Sequence, residues 1–118
     1  YASRHIVDAL RDAGRAVDLL IACGGSAANA WWLQTHADAL GLPVARPEEP
    51  DAVLLGAAML GATAAGVHPS LEAAMSAMTR LATVRPADPS VARYHDAKYA
   101  VYRRMLDDHR VYREMMVR

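Results

Sequence analysis

An α/β domain is what this sequence predicts, and three observations predict it. A short apolar run, Val17-Asp18-Leu19-Leu20-Ile21-Ala22-Cys23, is bounded by charge upstream and by Gly24-Gly25 downstream, the pattern of a buried strand. Segments with apolar residues at helical spacing lie on both sides of that run. Gly14, Gly41 and Gly66 stand where three of these helical patterns stop, as glycine does at helix C-termini. The expected domain has two short strands, one of them central, covered by four or five helices, the last one long.

The first helix is expected over residues 3–13, where Ile6, Val7 and Leu10 share a face. After the strand at 17–23, Ser26 can cap a second helix running to about Leu40, with Ala30, Leu33, Ala37 and Leu40 as its stripe. Residues 42–45 are expected as the second strand, and Arg46-Pro47-Glu48-Glu49-Pro50 as a proline-framed loop. Asp51 can cap a third helix over 52–65. That helix is apolar nearly all round, so burial on several faces is expected. Ser70 begins a short helix through Arg80. Residues 81–90 carry Pro86 and Pro89 and read as a loop. Residues 91–116 read as the long final helix, with Tyr94, Val101, Met105 and Tyr112 along one face and Tyr102 and Leu106 beside it.

Composition excludes several classes. The chain has 118 residues, 53% hydrophobic and 22% charged, an ordinary globular balance and the length of one domain. Thirteen basic and thirteen acidic side chains give a formal net charge of zero. No single-sign run marks a nucleic-acid or anionic-membrane surface, and neither partner is expected. The most apolar stretch, 53–67, is interrupted by Gly56, Gly61 and Gly66 and is shorter than the ~20 residues of a membrane helix. Cys23 is the single cysteine, so no internal disulfide is available, and a reducing, cytoplasmic setting is expected. The chain opens on Tyr1-Ala2-Ser3-Arg4-His5, without an initiator Met or an apolar signal core. It reads as part of something longer.

The chemistry concentrates at the strand-to-helix junction, Ile21-Ala22-Cys23-Gly24-Gly25-Ser26-Ala27-Ala28-Asn29. Two consecutive glycines leave backbone amides uncovered, and the following helix is expected to aim its free N–H groups at the same spot. Such a junction can cradle a phosphate. Asn29, expected one turn into the helix, can offer both a donor and an acceptor to a ligand over the glycines. Taken alone, a glycine pair before a helix more often marks a tight turn than a ligand cradle. The junction is neither a Walker loop, lacking Gly-Lys-Ser/Thr, nor a dinucleotide fingerprint, lacking a third spaced glycine.

Further residues extend the pattern in order: Gln34, Ala37-Asp38, Gly41, Pro43-Val44 and Asp51-Ala52-Val53-Leu54-Leu55-Gly56-Ala57-Ala58. With the Gly-Gly junction these blocks resemble the C-terminal domain of FGGY carbohydrate kinases over almost the whole chain. The resemblance implies an actin-like, ribonuclease-H-like ATPase fold, in which two such domains close around ATP and sugar. It implies cofactor ATP with Mg and a nucleotide-binding role for Gly24, Gly25, Ser26 and Asn29. In glycerol kinase-like members the second glycine and the Asn four residues later contact the nucleotide, and those positions match Gly25 and Asn29. Many members carry a third glycine where this chain has Ser26. Cys23 stands where Thr or Asp is common.

Tyr1-Ala2-Ser3-Arg4-His5-Ile6, Thr35-His36-Ala37-Asp38 and His95-Asp96-Ala97-Lys98-Tyr99 are similar to the ribulokinase-like branch, which implies a pentulose or pentitol substrate. A kinase of another sugar or polyol, such as xylulose or glycerol, is the alternative. The family's catalytic Asp, its N-terminal phosphate loop and most of its sugar contacts lie upstream of the region this chain resembles. The chain alone is therefore expected to be inactive, with no catalytic residue of its own. It is also expected to associate with copies of itself. A non-catalytic interaction module that keeps the kinase-like shape is the alternative of different class.

The remaining candidates have plainer readings. Cys23 has no locally paired His and reads as a small residue at a strand end. His5, His36, His68, His95 and His109 show no zinc spacing. Trp31 and Trp32 point about 100° apart on a helix, so they form no single stacking platform. At least one of them is expected in the core or at a domain interface. Arg103-Arg104 and Asp107-Asp108 have the spacing of a solvated ion-pair ladder.

Overall fold

The computed structural model of this chain describes residues 1–117. Helix α1 (Ala2–Asp12) leads into strand β1 (Leu20–Ile21). A 3-10 turn, Gly25–Ala28, and helix α2 (Ala30–Leu40) then cross over to strand β2 (Val44–Pro47). β1 and β2 run parallel, Leu20 against Val44 and Ile21 against Ala45, as the helical crossover requires. Helices α3 (Ala52–Ala64) and α4 (Leu71–Met78) follow, then strand β3 (Leu81–Arg85) and the long helix α5 (Ala92–Met116). The sheet order is β1-β2-β3, with β3 antiparallel to β2.

The core forms where α1 and α2 cover the sheet. Leu33, Ala37 and Leu40 recur at helical spacing on α2 and pack with Val7, Ala22, Leu42 and Val44. Ala37 and Val44 are fully buried, a contact close enough that only a small helix residue fits it. Ala30, expected in the same stripe, is exposed, because it sits on the first turn, beyond the covered part of the sheet. Gly41 ends α2 at φ 64, the left-handed stop that glycine adopts freely.

Three strands form where two were expected. Residues 81–85, read as loop, pair with β2 as Val44↔Arg85, Ala45↔Val84 and Arg46↔Thr83. The register shifts between Arg46 and Pro47, at the residue without an N–H to offer the ladder. The short Leu81-Ala82-Thr83-Val84 run is followed at once by Pro86 and Pro89, which mark a loop locally, and the strand is held by its pairing with β2, its Leu81 and Val84 staying exposed. β1 is shorter than the 17–23 run, and one of its edges is paired while the other is open.

The expectation for α3 is corrected. Only Met59 of this helix is buried, while Val53 is 83% and Leu54 67% exposed. α3 packs chiefly on α4. The capping expectation for Asp51 holds, its Oδ1 accepting from the Leu54 N–H at 3.0 Å, and Ser70, where α4 was expected to begin, caps it with Oγ accepting from the Ala73 N–H at 3.2 Å. The α3–α4 pair therefore stands off the sheet. The radius of gyration is 18.5 Å, against about 13–14 Å for a compact domain of this length.

On α5 the packed face is offset from the expected one. Tyr94, Val101, Met105 and Tyr112 are exposed, whereas Tyr99 is buried and Tyr102 and Leu106 are half-buried. Aromatic contacts with α1 decide the rotation: Tyr1, Tyr99 and Tyr102 cluster with centroids about 6 Å apart, and the Arg4 guanidinium lies 4.4 Å over the Tyr99 ring. Arg4 also pairs with Asp96 at 2.7 Å. In the charged tail of α5, Arg104 pairs with Asp108 as spacing suggests, but Asp107 takes Arg110 and not Arg103.

Tyr99 donates to Asp8 Oδ2 at 2.7 Å, tying α5 to α1. Burial first, and the hydrogen bond to Asp8 second, push its phenol up to about 12, against about 10 in an unfolded chain. The folded state thus prefers the neutral phenol. Its contribution is full below pH about 10 and is lost as pH rises toward 12. Denaturant melts of wild type and Tyr99→Phe should show a wild-type advantage at pH 8 of roughly 1–3 kcal/mol, shrinking across that window. An advantage that stayed constant to pH 12 would contradict the assignment.

Candidate functional site

β1 and β2 are parallel, and their C-terminal ends open on one side of the sheet, where ligands of open α/β sheets bind. Gly24 follows β1 with φ 86 and ψ −179, a conformation essentially restricted to glycine. Gly25 has no such constraint, and a Cβ built on it would meet nothing within 4 Å. Its backbone therefore faces open space. The first bond of the 3-10 turn runs from the Ala27 N–H to the Gly24 carbonyl at 3.0 Å. The Gly25 and Ser26 N–H groups lie ahead of that bond, with no acceptor inside the turn.

The open space is a cleft of about 450 Å³, within the usual range for small-molecule sites. Cys23, Gly24 and Gly25 form one wall, Arg46 and Pro47 at the end of β2 the floor, and the start of α3 from Pro50 to Val53 the other wall. Ser26 and Asn29 are not among its lining residues. Sequence reasoning singled out the glycines but left Arg46 in a loop and treated Asp51 only as a cap. The hint available was that Arg46-Pro47 closes the strand next to the glycine turn, and pairing order is not written in local spacing.

The role expected of Ser26 as helix cap is corrected: Asn29 caps α2. Its Oδ1 accepts from the Trp31 N–H at 3.0 Å and the Trp32 N–H at 3.2 Å. Asn29 thus precedes α2 and does not lie one turn inside it, and those two helix N–H groups are already taken. Its acceptor half is occupied by this cap, which leaves the Nδ2 donor for a ligand. Ala28 intervenes because the chain spends one 3-10 turn before the α-helix begins. Asn29→Ala should cost about 1 kcal/mol of stability through the lost cap, whereas Asn29→Asp should keep the cap and remove only the donor. Equal melting of Asn29→Ala and wild type would contradict the capping role.

Trp32 packs against the core and stacks on His36 with centroids 3.7 Å apart. Trp31 is 75% exposed. Cys23 is exposed on the cleft wall. Among the described residues, no group of three or more His, Cys, Asp or Glu side chains is placed to hold a metal ion, and no helix is long and apolar enough to cross a membrane.

A nucleotide fits this arrangement. The glycine turn leaves room against its backbone, the floor carries a cation, and small apolar side chains from Ala27, Ala28 and Ala52 line the rest. The residues do not fit a metal of their own, since Asp51 is the one carboxylate lining the cleft and its Oδ1 caps α3.

Residues 1–65 match the C-terminal domain of the FGGY family of carbohydrate kinases. An FGGY carbohydrate kinase domain-containing protein of Danio rerio is 42% identical over 103 residues, 87% of this chain and 19% of that protein. A glycerol kinase of Myxococcus xanthus is 40% identical over 90 residues, 75% of this chain and 18% of that protein. The crystal structure of xylulose kinase from Rhodospirillum rubrum superimposes with a TM-score of 0.75 at 26% identity, covering 94% of this chain and 22% of that one. The chain thus spans about a fifth of the length of the relatives it matches. Its helix–strand order and long final helix are those of the actin-like, ribonuclease-H-like ATPase fold of these kinases. Match, identity and fold agree with the glycine turn and its cleft: this chain belongs to the FGGY family of carbohydrate kinases.

Proposed function

We propose that this chain is the C-terminal portion of the nucleotide-binding domain of an ATP-dependent carbohydrate kinase and supplies one wall of its ATP site. The observation that carries the reading is the Gly24-Gly25 turn opening on the cleft at the ends of β1 and β2. ATP, with Mg, supplies the transferred phosphoryl group when bound. The Gly25 N–H, free of any acceptor in its turn, donates to the nucleotide, and Asn29, which stands just outside the cleft lining, offers its Nδ2 as a second donor to a ligand that extends past Ala28. Gly24 shapes the turn that lets the nucleotide approach the backbone. Phosphoryl transfer rests on positioning and charge stabilisation. The base that takes the sugar proton, the sugar contacts and the metal ligands belong to other parts of the full-length protein. The setting is cytoplasmic.

The substrate of this reading is a pentulose or pentitol of the D-ribulose kind, motivated by Thr35-His36-Ala37-Asp38 and the His95-to-Tyr99 segment. The glycerol kinase and xylulose kinase relatives support glycerol and xylulose as the second reading. The test is ADP release by the full-length protein with MgATP and a panel of D-ribulose, ribitol, D-xylulose and glycerol. Turnover fastest on D-ribulose or ribitol is expected. Turnover confined to xylulose or glycerol would move the substrate to the second reading, and no turnover on any sugar or polyol would remove the kinase reading.

A further inference from the structure

We infer that Arg46 is a positioning residue for the nucleotide, its guanidinium donating to a phosphate group in the cleft; this rests on the ATP-site reading above. Arg46 sits on the central strand β2, opposite Thr83 of β3, and lines the floor between the glycine turn and the start of α3. Its Nε is buried and has no hydrogen-bond partner. Its guanidinium takes part in none of the ion pairs among the described residues.

A buried guanidinium N–H without an acceptor is costly, and its usual explanation is a missing partner. Of the three carboxylates that follow it, Glu48 is exposed, forms no ion pair with it and does not line the cleft, Glu49 Oε1 accepts from the Asp51 N–H, and Asp51 Oδ1 accepts from the Leu54 N–H. At the glycine wall the Gly25 N–H is a donor with no acceptor inside its turn. A cation that lines the same cleft as the Gly25 N–H and takes part in none of the ion pairs among the described residues suits an anion and not a second cation. Arginine's planar fork also matches phosphate oxygens in pairs, which a lysine ammonium does not.

Arg85 has a similarly unpartnered buried Nε and stands two positions away on the same face of the sheet, opposite Val44. It does not line the cleft, so the inference is confined to Arg46.

The experiment is equilibrium binding of adenosine, AMP, ADP and ATP to the full-length protein and to its Arg46→Met and Arg46→Lys variants, by calorimetry. Methionine keeps the stem that fills the strand position and removes the fork. Arg46→Met is expected to lose about tenfold or more in affinity for the phosphorylated ligands and to bind adenosine as wild type does. Arg46→Lys is expected to recover only part of the loss. Thermal melts of the three proteins report on folding separately, and a merely structural role would weaken adenosine as much as ATP. Equal losses for adenosine and ATP, or no loss for either, would overturn the inference while leaving the ATP site in place. A wild-type protein that binds none of the four would overturn the ATP-site reading with it.

Discussion

Gly25→Trp is expected to raise the KM for ATP of the full-length protein by at least tenfold and to leave its melting temperature nearly unchanged. The separation follows from the two glycines' different jobs. A side chain at Gly25 starts into open space, with nothing within 4 Å of its Cβ and no positive φ to violate. An indole there occupies the cleft beside the backbone N–H that the nucleotide approaches, so binding suffers and folding does not. Gly24 is the reverse case. Its space is equally open, but φ +86 is strained for any side chain, and Gly24→Ala should cost roughly 1–3 kcal/mol of stability. Steady-state kinetics and thermal melts of both variants check the pair. If Gly25→Trp left the ATP dependence unaltered in a folded protein, the nucleotide would have to lie elsewhere.

The isolated 118-residue chain is expected to self-associate at tens of micromolar and to show no kinase activity. α3 presents Val53, Leu54 and Leu60, each at least 60% exposed, and packs chiefly on α4. The far end of α5 adds Val111, Tyr112, Met115 and Met116, all more than half exposed. The outer edges of β1 and β3 are open to further pairing. Covering about 100 Å² of apolar surface contributes roughly 2.5 kcal/mol before association entropy is counted, so a few such contacts suffice. Exchange of α5 between copies is one route to a dimer. Sedimentation across a dilution series, with an ADP-release assay on the same samples, tests both statements. A monomer throughout would mean that these faces stay soluble uncovered, and sugar-dependent ADP release would mean that the chain holds a complete active site.

The elements with a buried stripe or a strong stop were legible from sequence alone. α1, α2, α3 and α4 lie within a few residues of where apolar spacing, Asp51, Ser70 and the glycines put them, because those signals act over one helical turn. The Gly24-Gly25 junction was legible for the same reason: a strand followed by two glycines is a local statement about backbone freedom. β3 was not, since it is held by hydrogen bonds to β2 some forty residues away, and its short Leu81-to-Val84 run stands against Pro86 and Pro89, which read locally as loop. The rotation of α5 was set by Tyr1, just ahead of α1, and Asp8 on α1 meeting Tyr99, a contact across about ninety residues. Asn29, expected one turn inside α2, caps it instead because one 3-10 turn separates the glycines from α2, a difference of a few residues that propensity does not resolve. Arg46 shows the same division most sharply. The sequence by itself determined that an arginine precedes Pro47, but only the parallel pairing of β1 with β2 brought it beneath the glycine turn, since which strands become neighbours is decided by long-range packing and not by the residues beside them.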